Sequence, residues 1–313
     1  MTAPALELRL DWQPLPAPPS LLGESPFWHP DEQALYWCDI PGRALHRWCP
    51  ADGADGAHRQ WDFDNEPGCV APLPGGRLLL AMREGLFRFD PRDGSRDGIL
   101  ERLAPPPYDT AVERFNDGKA DAQGRLWVGT IYDPRSKPAA ALYRWDGHTL
   151  DRVAGDVTVS NGLAFSADGR HVYWTDTPSH RVMVYTLDAG TGRLIEPRVL
   201  HAFEPRVAGA PLAGYGGRPD GAALDVEGGY WAAMMEGKQL VRIAPDGRLL
   251  ARVPLPVRCP TMPCFGGADG RTLFVTTARA NRPADELAAE PWAGCVLMAR
   301  APLAGLPVNF AAG

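Results

Sequence analysis

Short apolar runs recur along this chain at a nearly constant spacing. Six of them stand out, and their first residues are separated by 43, 48, 46, 58 and 43 positions. They cover residues 35–38, 78–81, 126–129, 172–175, 230–233 and 273–276. A repeat of about 40–50 residues that holds about four strands is the period of a blade in a β-propeller. The repeat therefore predicts an all-β protein with the architecture of a six-bladed β-propeller.

The residues between these runs favour turns rather than helices. Asp-Gly pairs, which are among the strongest signals for tight hairpins, occur ten times. The 34 glycines and 32 prolines make up about a fifth of the chain, which suits many short strands joined by turns. We therefore expect residues 1–313 to form a single propeller domain, with the blade repeats at roughly residues 20–300.

Three segments depart from the repeat. Residues 6–10 alternate apolar and charged side chains, which is the pattern of a half-buried strand. Because propellers often close their circle with an N-terminal strand, we expect residues near Leu6 to Trp12 to complete the last blade. The 58-residue interval predicts a long loop over residues 201–217. Residues 285–291 form a second polar excursion, which we expect to be helical.

Composition and charge exclude several classes of function. The formal net charge of −6 gives no reason to expect nucleic-acid binding. No stretch approaches the roughly 20 apolar residues of a membrane helix, and the N-terminus shows no secretory signal. We therefore expect a cytoplasmic protein with no membrane association and no obligatory protein partner. The six scattered cysteines are expected to be reduced and mainly buried.

The innermost strand of each blade lines the axis of a propeller, so a site can form at its entrance. Counting back 10 or 11 residues from each apolar run gives six equivalent positions, which we call the axial ring. They are Glu24, Gly68, Asn116, Asn161, Asp220 and Met262. Four of them offer oxygen atoms to a cation. Each of the four alone would be interpreted as a turn or capping residue, but together they predict a shared cation site.

The donor types of the axial ring limit the cation. Two carboxylates and two neutral amides suit Ca²⁺, Mg²⁺ or Mn²⁺, and they tolerate Zn²⁺ or Fe²⁺ with open positions filled by water. Such a cation can polarise a carbonyl oxygen and lower the pKa of bound water. The axial ring therefore predicts one divalent cation as cofactor and leaves the identity of the metal open.

The motifs around these polar residues resemble those of the senescence-marker-protein/gluconolactonase family, the regucalcin-like sugar lactonases. The resemblance runs from about residue 21 to residue 300. Its most specific segments are Leu22-Gly23-Glu24-Ser25-Pro26, Arg114-Phe115-Asn116-Asp117-Gly118, Ser160-Asn161-Gly162-Leu163 and Pro219-Asp220-Gly221. Each segment is short, but their order and spacing make chance agreement improbable.

The resemblance implies a six-bladed propeller with one catalytic divalent cation on its axis. Carried over by motif, the metal ligands are Glu24, Asn161 and Asp220. Asn116 would lie beside the metal and the substrate, and Arg114 would contact carbonyl or hydroxyl groups of the substrate. The expected partner is a small-molecule sugar lactone.

One departure from the family pattern concerns the residues after the strand at 126–129. Pro134 stands where family members often have a glutamate that binds sugar hydroxyls. Asp133 or Tyr132 would take over this contact, and we expect Asp133 to bind substrate. The departure leaves the choice of sugar open between gluconolactone, xylonolactone and arabinonolactone types.

These inferences predict a metal-dependent lactonase that opens an aldonolactone to the aldonic acid, as part of carbohydrate metabolism. Asp220 is expected to act as the general base that activates water. Two alternatives remain open at this point. One is a propeller esterase or organophosphate hydrolase with the same metal site, and the other is a non-catalytic, calcium-binding protein of the regucalcin kind.

Overall fold

The computed structural model describes residues 5–53, 57–92, 98–188 and 190–312. Within these residues, 25 strands form six sheets. Five sheets have four strands that follow one another in the chain and the sixth has three, and the N-terminal segment adds one strand to each of two sheets. The structure therefore confirms the predicted all-β, six-bladed β-propeller.

The strands are numbered in chain order. The N-terminal segment holds β1 (Leu6–Glu7) and β2 (Gln13–Pro14). The first blade holds β3 (Gly23–His29), β4 (Ala34–Asp39), β5 (Ala44–Trp48) and β6 (His58–Asp62). The second holds β7 (Pro67–Pro72), β8 (Leu78–Met82), β9 (Gly85–Asp90) and β10 (Ile99–Ala104). The third holds β11 (Glu113–Ala120), β12 (Leu126–Tyr132), β13 (Ala140–Trp145) and β14 (Leu150–Val157).

The remaining blades repeat this arrangement. The fourth holds β15 (Ser160–Phe165), β16 (His171–Asp176), β17 (Arg181–Leu187) and β18 (Leu194–Ala202). The fifth holds β19 (Arg218–Leu224), β20 (Tyr230–Met235), β21 (Gln239–Ile243) and β22 (Leu249–Pro254). The sixth holds β23 (Pro260–Gly266), β24 (Thr272–Thr277) and β25 (Leu297–Arg300). All six apolar runs of the sequence are second strands of blades, as the repeat predicted.

Helical structure among the described residues is confined to short segments. The α-helix α1 (Ala284–Ala289) lies in the polar excursion that the sequence indicated, and two 3₁₀ turns cover Pro50–Asp52 and Thr177–Ser179. Residues 203–217 contain neither helix nor strand and form the predicted long loop between β18 and β19. In the part of the chain that the structure describes, no helix is long and apolar enough to cross a membrane.

The N-terminal segment closes the circle of blades, but not through the residues that we expected. β2 pairs with β25 and so completes the sixth blade, with Gln13 opposite Met298. β1 instead pairs in parallel with β22 as a fifth strand of the fifth blade. The alternation over residues 6–10 marks this added edge strand, whose neighbours Leu8 and Leu10 pack against a core cluster. The prediction of closure is confirmed, and its placement at Leu6 to Trp12 is wrong.

Buried tryptophans on two of the second strands fix the strands of the third and fifth blades. Trp127 and Trp231 are fully buried. The indole of Trp127 donates to the Asp121 carboxylate at 2.8 Å, and Arg125 donates to the same carboxylate at 2.7 Å. Asp225 accepts from Trp231 at 2.7 Å in the same way. An aspartate in the turn before the strand thus satisfies the only donor of each ring, so the ring can be buried without cost in hydrogen bonding.

Every innermost strand carries an irregularity in its pairing with the second strand. The six shifts lie between Glu24 and Phe27, Pro67 and Cys69, Phe115 and Gly118, Asn161 and Ala164, Pro219 and Ala222, and Pro260 and Met262. Such a bulge bends a strand and re-aims a side chain. Each shift includes or adjoins a position of the axial ring, so the repeat brings six equivalent residues to one end of the axis.

All six cysteines are free thiols, as the sequence indicated. Five are buried and Cys295 is half-buried.

Candidate active site

A cavity of about 320 Å³ opens at the end of the axis where the innermost strands begin. Its lining includes Glu24, Arg114, Asn116, Asn161 and Asp220, all of which are buried. These are five of the six site residues that the sequence predicted. Glu24 comes from the first blade and the others from the third, fourth and fifth.

Four of these side chains form a continuous series, which we call the axial hydrogen-bond chain. Arg114 donates through Nη1 to Oδ1 of Asn116 at 2.9 Å. Asn116 donates through Nδ2 to Oδ1 of Asn161 at 2.8 Å, and Asn161 donates through Nδ2 to Oδ1 of Asp220 at 2.5 Å. The chain crosses three blades and ends on a carboxylate, so it orients both amides and places their donors and acceptors in a fixed order.

A threonine that the sequence analysis did not single out supports this chain. Thr177 accepts a hydrogen bond from Nδ2 of Asn161 at 2.8 Å and donates to the carbonyl oxygen of Pro219 at 2.9 Å. It therefore connects the fourth blade to the strand that carries Asp220. The sequence held one usable signal, because Thr177 directly follows the second strand of its blade and so lies at the same end of the axis as the axial ring.

The carboxylates of the cavity are difficult to ionise together. Burial raises the pKa of Glu24 well above its usual range, and the charges of Asp220 and Asp117 raise it further. Burial raises the pKa of Asp220 to about 7, although Arg218 opposes the rise. Burial also lowers the pKa of the Arg114 guanidinium. Two like charges that face one cavity favour the uptake of protons or of a cation.

A divalent cation fits this donor set. Neither Glu24 nor Asp220 forms an ion pair with any residue that the structure describes. Histidine, cysteine, aspartate and glutamate by themselves form no group of three in the described ranges that could hold a metal ion. A cation here would therefore need amide oxygen in addition to the two carboxylates. Such an oxygen-rich set with few charges is typical of hard divalent cations.

Asp133, the remaining predicted site residue, does not line the cavity. Its Oδ2 accepts from Nη2 of Arg83 at 2.9 Å, and its Oδ1 lies 4.0 Å from Nε of Arg114. Arg83 also pairs with Glu66 at 2.9 Å. Asp133 therefore lies next to Arg114, outside the cavity lining, in a network of two acids and two bases. Its direct contact with substrate stays a prediction.

The two apolar positions of the axial ring serve packing. A side chain at Gly68 would overlap the backbone carbonyl of Phe115, so glycine lets the second and third blades approach each other. Met262 packs against Gly221 in a similar way, because a Cβ at Gly221 would lie 2.5 Å from the Cβ of Met262. The two positions without donors, which flank Glu24 in the axial ring, are thus closed by tight contacts between blades.

Three basic residues at the mouth of the cavity were not predicted as site residues. They are Arg135, His180 and Arg218, and we call them the basic rim. Arg135 and His180 lie in the turns that follow the second strands of the third and fourth blades, and Arg218 opens β19. Inspection of the residues after each second strand could have found the first two.

The fold and the cavity together define a class of protein: a six-bladed β-propeller with a buried, carboxylate-containing site at one end of its axis. Within that class the chain belongs to the SMP-30/gluconolactonase/LRE-like family, whose model matches residues 22–279. This confirms the family that the motifs of the sequence resembled.

Individual relatives match over nearly the whole chain. A 6-deoxy-6-sulfogluconolactonase of Pseudomonas putida is 42% identical over 296 residues, which cover 94% of this chain and 96% of that protein. The regucalcin of Danio rerio is 33% identical over 279 residues, which cover 88% of each chain. A solved structure of a calcium-binding protein, regucalcin, from Agrobacterium tumefaciens has a TM-score of 0.88 at 27% identity, and covers 98% of this chain and 99% of that chain.

Proposed function

We propose that the protein is a metal-dependent sugar lactonase that hydrolyses an aldonolactone, of the gluconolactone, xylonolactone or arabinonolactone type, to the aldonic acid. One observation carries the proposal: the axial hydrogen-bond chain runs from Arg114 to Asp220 in one cavity, with the carboxylate of Glu24 in the same lining. The predicted class of enzyme, a lactonase, is confirmed by the relative from Pseudomonas putida.

Glu24, Asn161 and Asp220 would hold the cation. When bound, a divalent cation polarises the lactone carbonyl and lowers the pKa of water. Calcium is the first candidate, because a calcium-binding regucalcin has the same fold with a TM-score of 0.88. Cation binding would also remove the electrostatic conflict between the two buried carboxylates, whose pKa values burial raises.

Arg114 is placed to bind the oxygen atoms of the lactone. It is buried, and its Nη1 donates to the carbonyl oxygen of Phe115 and to Oδ1 of Asn116, both at 2.9 Å. These two hydrogen bonds fix the plane of a guanidinium that has five N–H donors in all. The remaining donors stabilise the negative charge that develops on the carbonyl oxygen in the transition state. Asp133 contributes by holding Arg114 from behind.

Asp220 is the general base of the proposed reaction. It removes a proton from the water that attacks the carbonyl carbon, which gives a tetrahedral intermediate with a negatively charged oxygen. When the ring C–O bond breaks, the ring oxygen leaves as an alkoxide and takes a proton from the Asp220 carboxyl. The products are the carboxylic acid and a new hydroxyl group on one open chain, and Asp220 ends in its starting state.

A direct test combines metal analysis with an activity assay. We expect the purified protein to contain one divalent cation per chain and to release acid from several aldonolactones in a pH-indicator assay. Asp220→Ala should reduce the rate of ring opening by at least about 10³-fold while the variant stays folded by circular dichroism. The matched control is Asp246→Ala, an exposed aspartate of the same blade. Full activity in Asp220→Ala would rule out the assignment.

A further inference from the structure

The basic rim belongs to the three blades that carry the two asparagines and the aspartate of the axial hydrogen-bond chain. Arg135 lies beyond the end of β12, His180 beyond the end of β16 and Arg218 at the start of β19. All three line the same cavity as Asp220. If the ester of a substrate lies beside Asp220, the end of the substrate that is nearest to solvent would therefore lie at the basic rim.

Most of the positive charge near the cavity is already neutralised. Arg218 pairs with Glu236 at 2.9 Å, and Glu236 also pairs with Arg282 at 3.3 Å. Arg282 pairs with Glu286 at 2.7 Å, so this network contains two bases and two acids. The network behind Arg114 likewise contains two bases and two acids. Neither network leaves a net charge for a ligand.

Arg135 differs from the other arginines of the cavity. It forms no ion pair with any residue in the described ranges, and it is exposed to solvent. Its backbone has a positive φ of 52°, and its N–H donates to the carbonyl oxygen of Tyr132 at 2.9 Å, which closes a tight turn. Pro134 lies inside this turn and limits its freedom. The guanidinium thus has no salt-bridge partner among the described residues, and it lies on a constrained turn at the mouth of the cavity, where its charge also acts on Asp220.

His180 provides an oriented polar group on the same rim. Its Nδ1 lies 3.1 Å from the carbonyl oxygen of Pro178, to which it donates, and its Nε2 lies 2.6 Å from the hydroxyl of Tyr215. The neutral ring must therefore accept the Tyr215 hydrogen bond at Nε2. Tyr215 comes from the long loop at 203–217, so this loop and the basic rim are connected directly.

From these observations we propose that the basic rim is a subsite for an acidic group on the lactone, at the end of the sugar remote from the ester, and that Arg135 is its specificity-determining residue. The acidic group is a sulfonate, a phosphate or a carboxylate. Each presents oxygen atoms that a guanidinium binds through paired, charge-assisted hydrogen bonds. The inference rests on the proposed lactonase function and adds the class of substrate.

The test compares lactones that differ at one position. Hydrolysis of glucono-1,5-lactone is measured beside that of the same lactone carrying a sulfonate, a phosphate or a carboxylate at C6. We expect the wild-type protein to have a higher kcat/KM for at least one acidic lactone than for the neutral one. Arg135→Ala should lower kcat/KM for that acidic lactone about tenfold more than for the neutral lactone, mainly through KM. The three acidic lactones show which anion the subsite prefers.

Two further variants separate charge from shape. Arg135→Lys keeps the charge and should retain part of the preference, whereas Arg135→Glu should reverse it. The matched control is Arg170→Ala, which removes an exposed arginine from the turn between β15 and β16, at the opposite end of a blade. It should leave all rates unchanged. Added salt should reduce the preference for acidic lactones in the wild-type protein, because screening weakens exposed charge pairs.

The outcomes distinguish this inference from the proposed function. If the neutral lactone is hydrolysed and the acidic lactones are not preferred, or if Arg135→Ala affects all lactones equally, the subsite is refuted and the lactonase function stands. If no lactone is hydrolysed, the proposed function fails first. In that case calorimetry with 6-phosphogluconate and gluconate still tests the subsite: equal binding of the two by the wild-type protein would overturn it.

Discussion

Single side chains at the site act through their neighbours as much as through the substrate. Thr177 offers no charge, yet its hydroxyl joins Asn161 to the backbone of Pro219 through hydrogen bonds of 2.8 and 2.9 Å. Removing this hydroxyl takes away one of the hydrogen bonds that orient Asn161 and leaves the carbonyl oxygen of Pro219 without this donor. Groups that orient metal ligands commonly contribute a factor of about 10–100 to metal affinity.

We therefore predict that Thr177→Val weakens the binding of the divalent cation about tenfold and lowers kcat/KM for lactones by a similar factor. The change is nearly isosteric, so the fold should persist. Calorimetric titration of the metal-free protein with Ca²⁺ or Mn²⁺ measures the first effect. Thr177→Ser, which keeps the hydroxyl, should stay close to the wild type. Equal losses in both variants would show that packing, and not the hydroxyl, is what matters.

A second prediction at the residue scale concerns a histidine far from the site. His46 is buried, stacks on Trp37 with ring centroids 4.9 Å apart, and shares a hydrogen bond with His58. The pKa of His46 is lowered to about 4, mainly by burial and also by the neighbouring His58, whereas Asp62 acts in the opposite direction. In the unfolded chain the pKa of this histidine is about 6.5. Between about pH 4 and 6.5 the unfolded state thus binds more protons than the native state.

The contribution of His46 to the free energy of unfolding should consequently be largest above pH about 6.5 and fall by roughly 3 kcal/mol as the pH drops towards 4. His46→Phe keeps an aromatic ring on Trp37 and removes the titrating group. Urea unfolding of both proteins between pH 4 and 7.5 measures the difference. Parallel pH profiles in the two proteins would contradict the prediction.

At the scale of elements, strands with buried side chains can be predicted from the sequence. Strands that are held mainly by backbone hydrogen bonds cannot. The second strands were predictable because both faces are apolar, as in β8, where all five residues are buried. The outermost strands β10 and β18 are mostly exposed and show no regular alternation. They pair with β9 and β17 through backbone groups, which leave no trace in residue type.

The same distinction explains which parts of the site were predictable. The polar residues of the axial ring recur at one place in a repeat, so comparing copies of the repeat revealed them. Arg135 and His180 lie in turns of different length after β12 and β16, and Asp133 lies in the first of these turns. Side-chain direction in such turns depends on local backbone geometry, including the positive φ of Arg135 and His180. No fixed spacing in the sequence encodes it.

The tight approach of neighbouring innermost strands gives a prediction at this scale. Because a Cβ at Gly68 would overlap the carbonyl of Phe115, Gly68→Ala must displace the strand that carries Asn116. We expect the free energy of unfolding to fall by about 1–3 kcal/mol and lactone hydrolysis to decrease as well. Gly190→Ala is the control, since a Cβ there would contact only Asp188, at 3.5 Å. Comparable effects at the two glycines would contradict this account.

At the scale of the whole molecule, the described N-terminal segment and residues 306–312 connect blades to one another, and none of these residues lines the cavity of the site. The C-terminal residues run across the end of the axis opposite the site: the N–H of Leu306 donates to Leu224 in the fifth blade, that of Ala311 to Pro72 in the second, and that of Ala312 to Gly124 in the third. A second, largely apolar cavity of about 260 Å³ lies against this segment. The polar chemistry is thereby concentrated at one end of the axis.

The N-terminal segment provides the last prediction, because it closes the circle. Leu15 follows β2, is only 2% exposed, and packs in a core cluster with Trp28 and Phe274. Leu6 in β1 is 63% exposed. If the six blades unfold as one unit, Leu15→Ala should lower the stability of the entire propeller by about 2–5 kcal/mol, whereas Leu6→Ala should cost much less than 1 kcal/mol.

Denaturation of these two variants and the wild type, followed by tryptophan fluorescence and by residual lactonase activity, measures the effect. A single circle of blades requires that both signals are lost in one transition, and that Leu15→Ala moves both midpoints together. Activity that disappears before the fluorescence changes would mean that the site opens independently of the closure. Equal stabilities of the two leucine variants would mean that β2 does not stabilise the sixth blade and that the other strands close the circle without it.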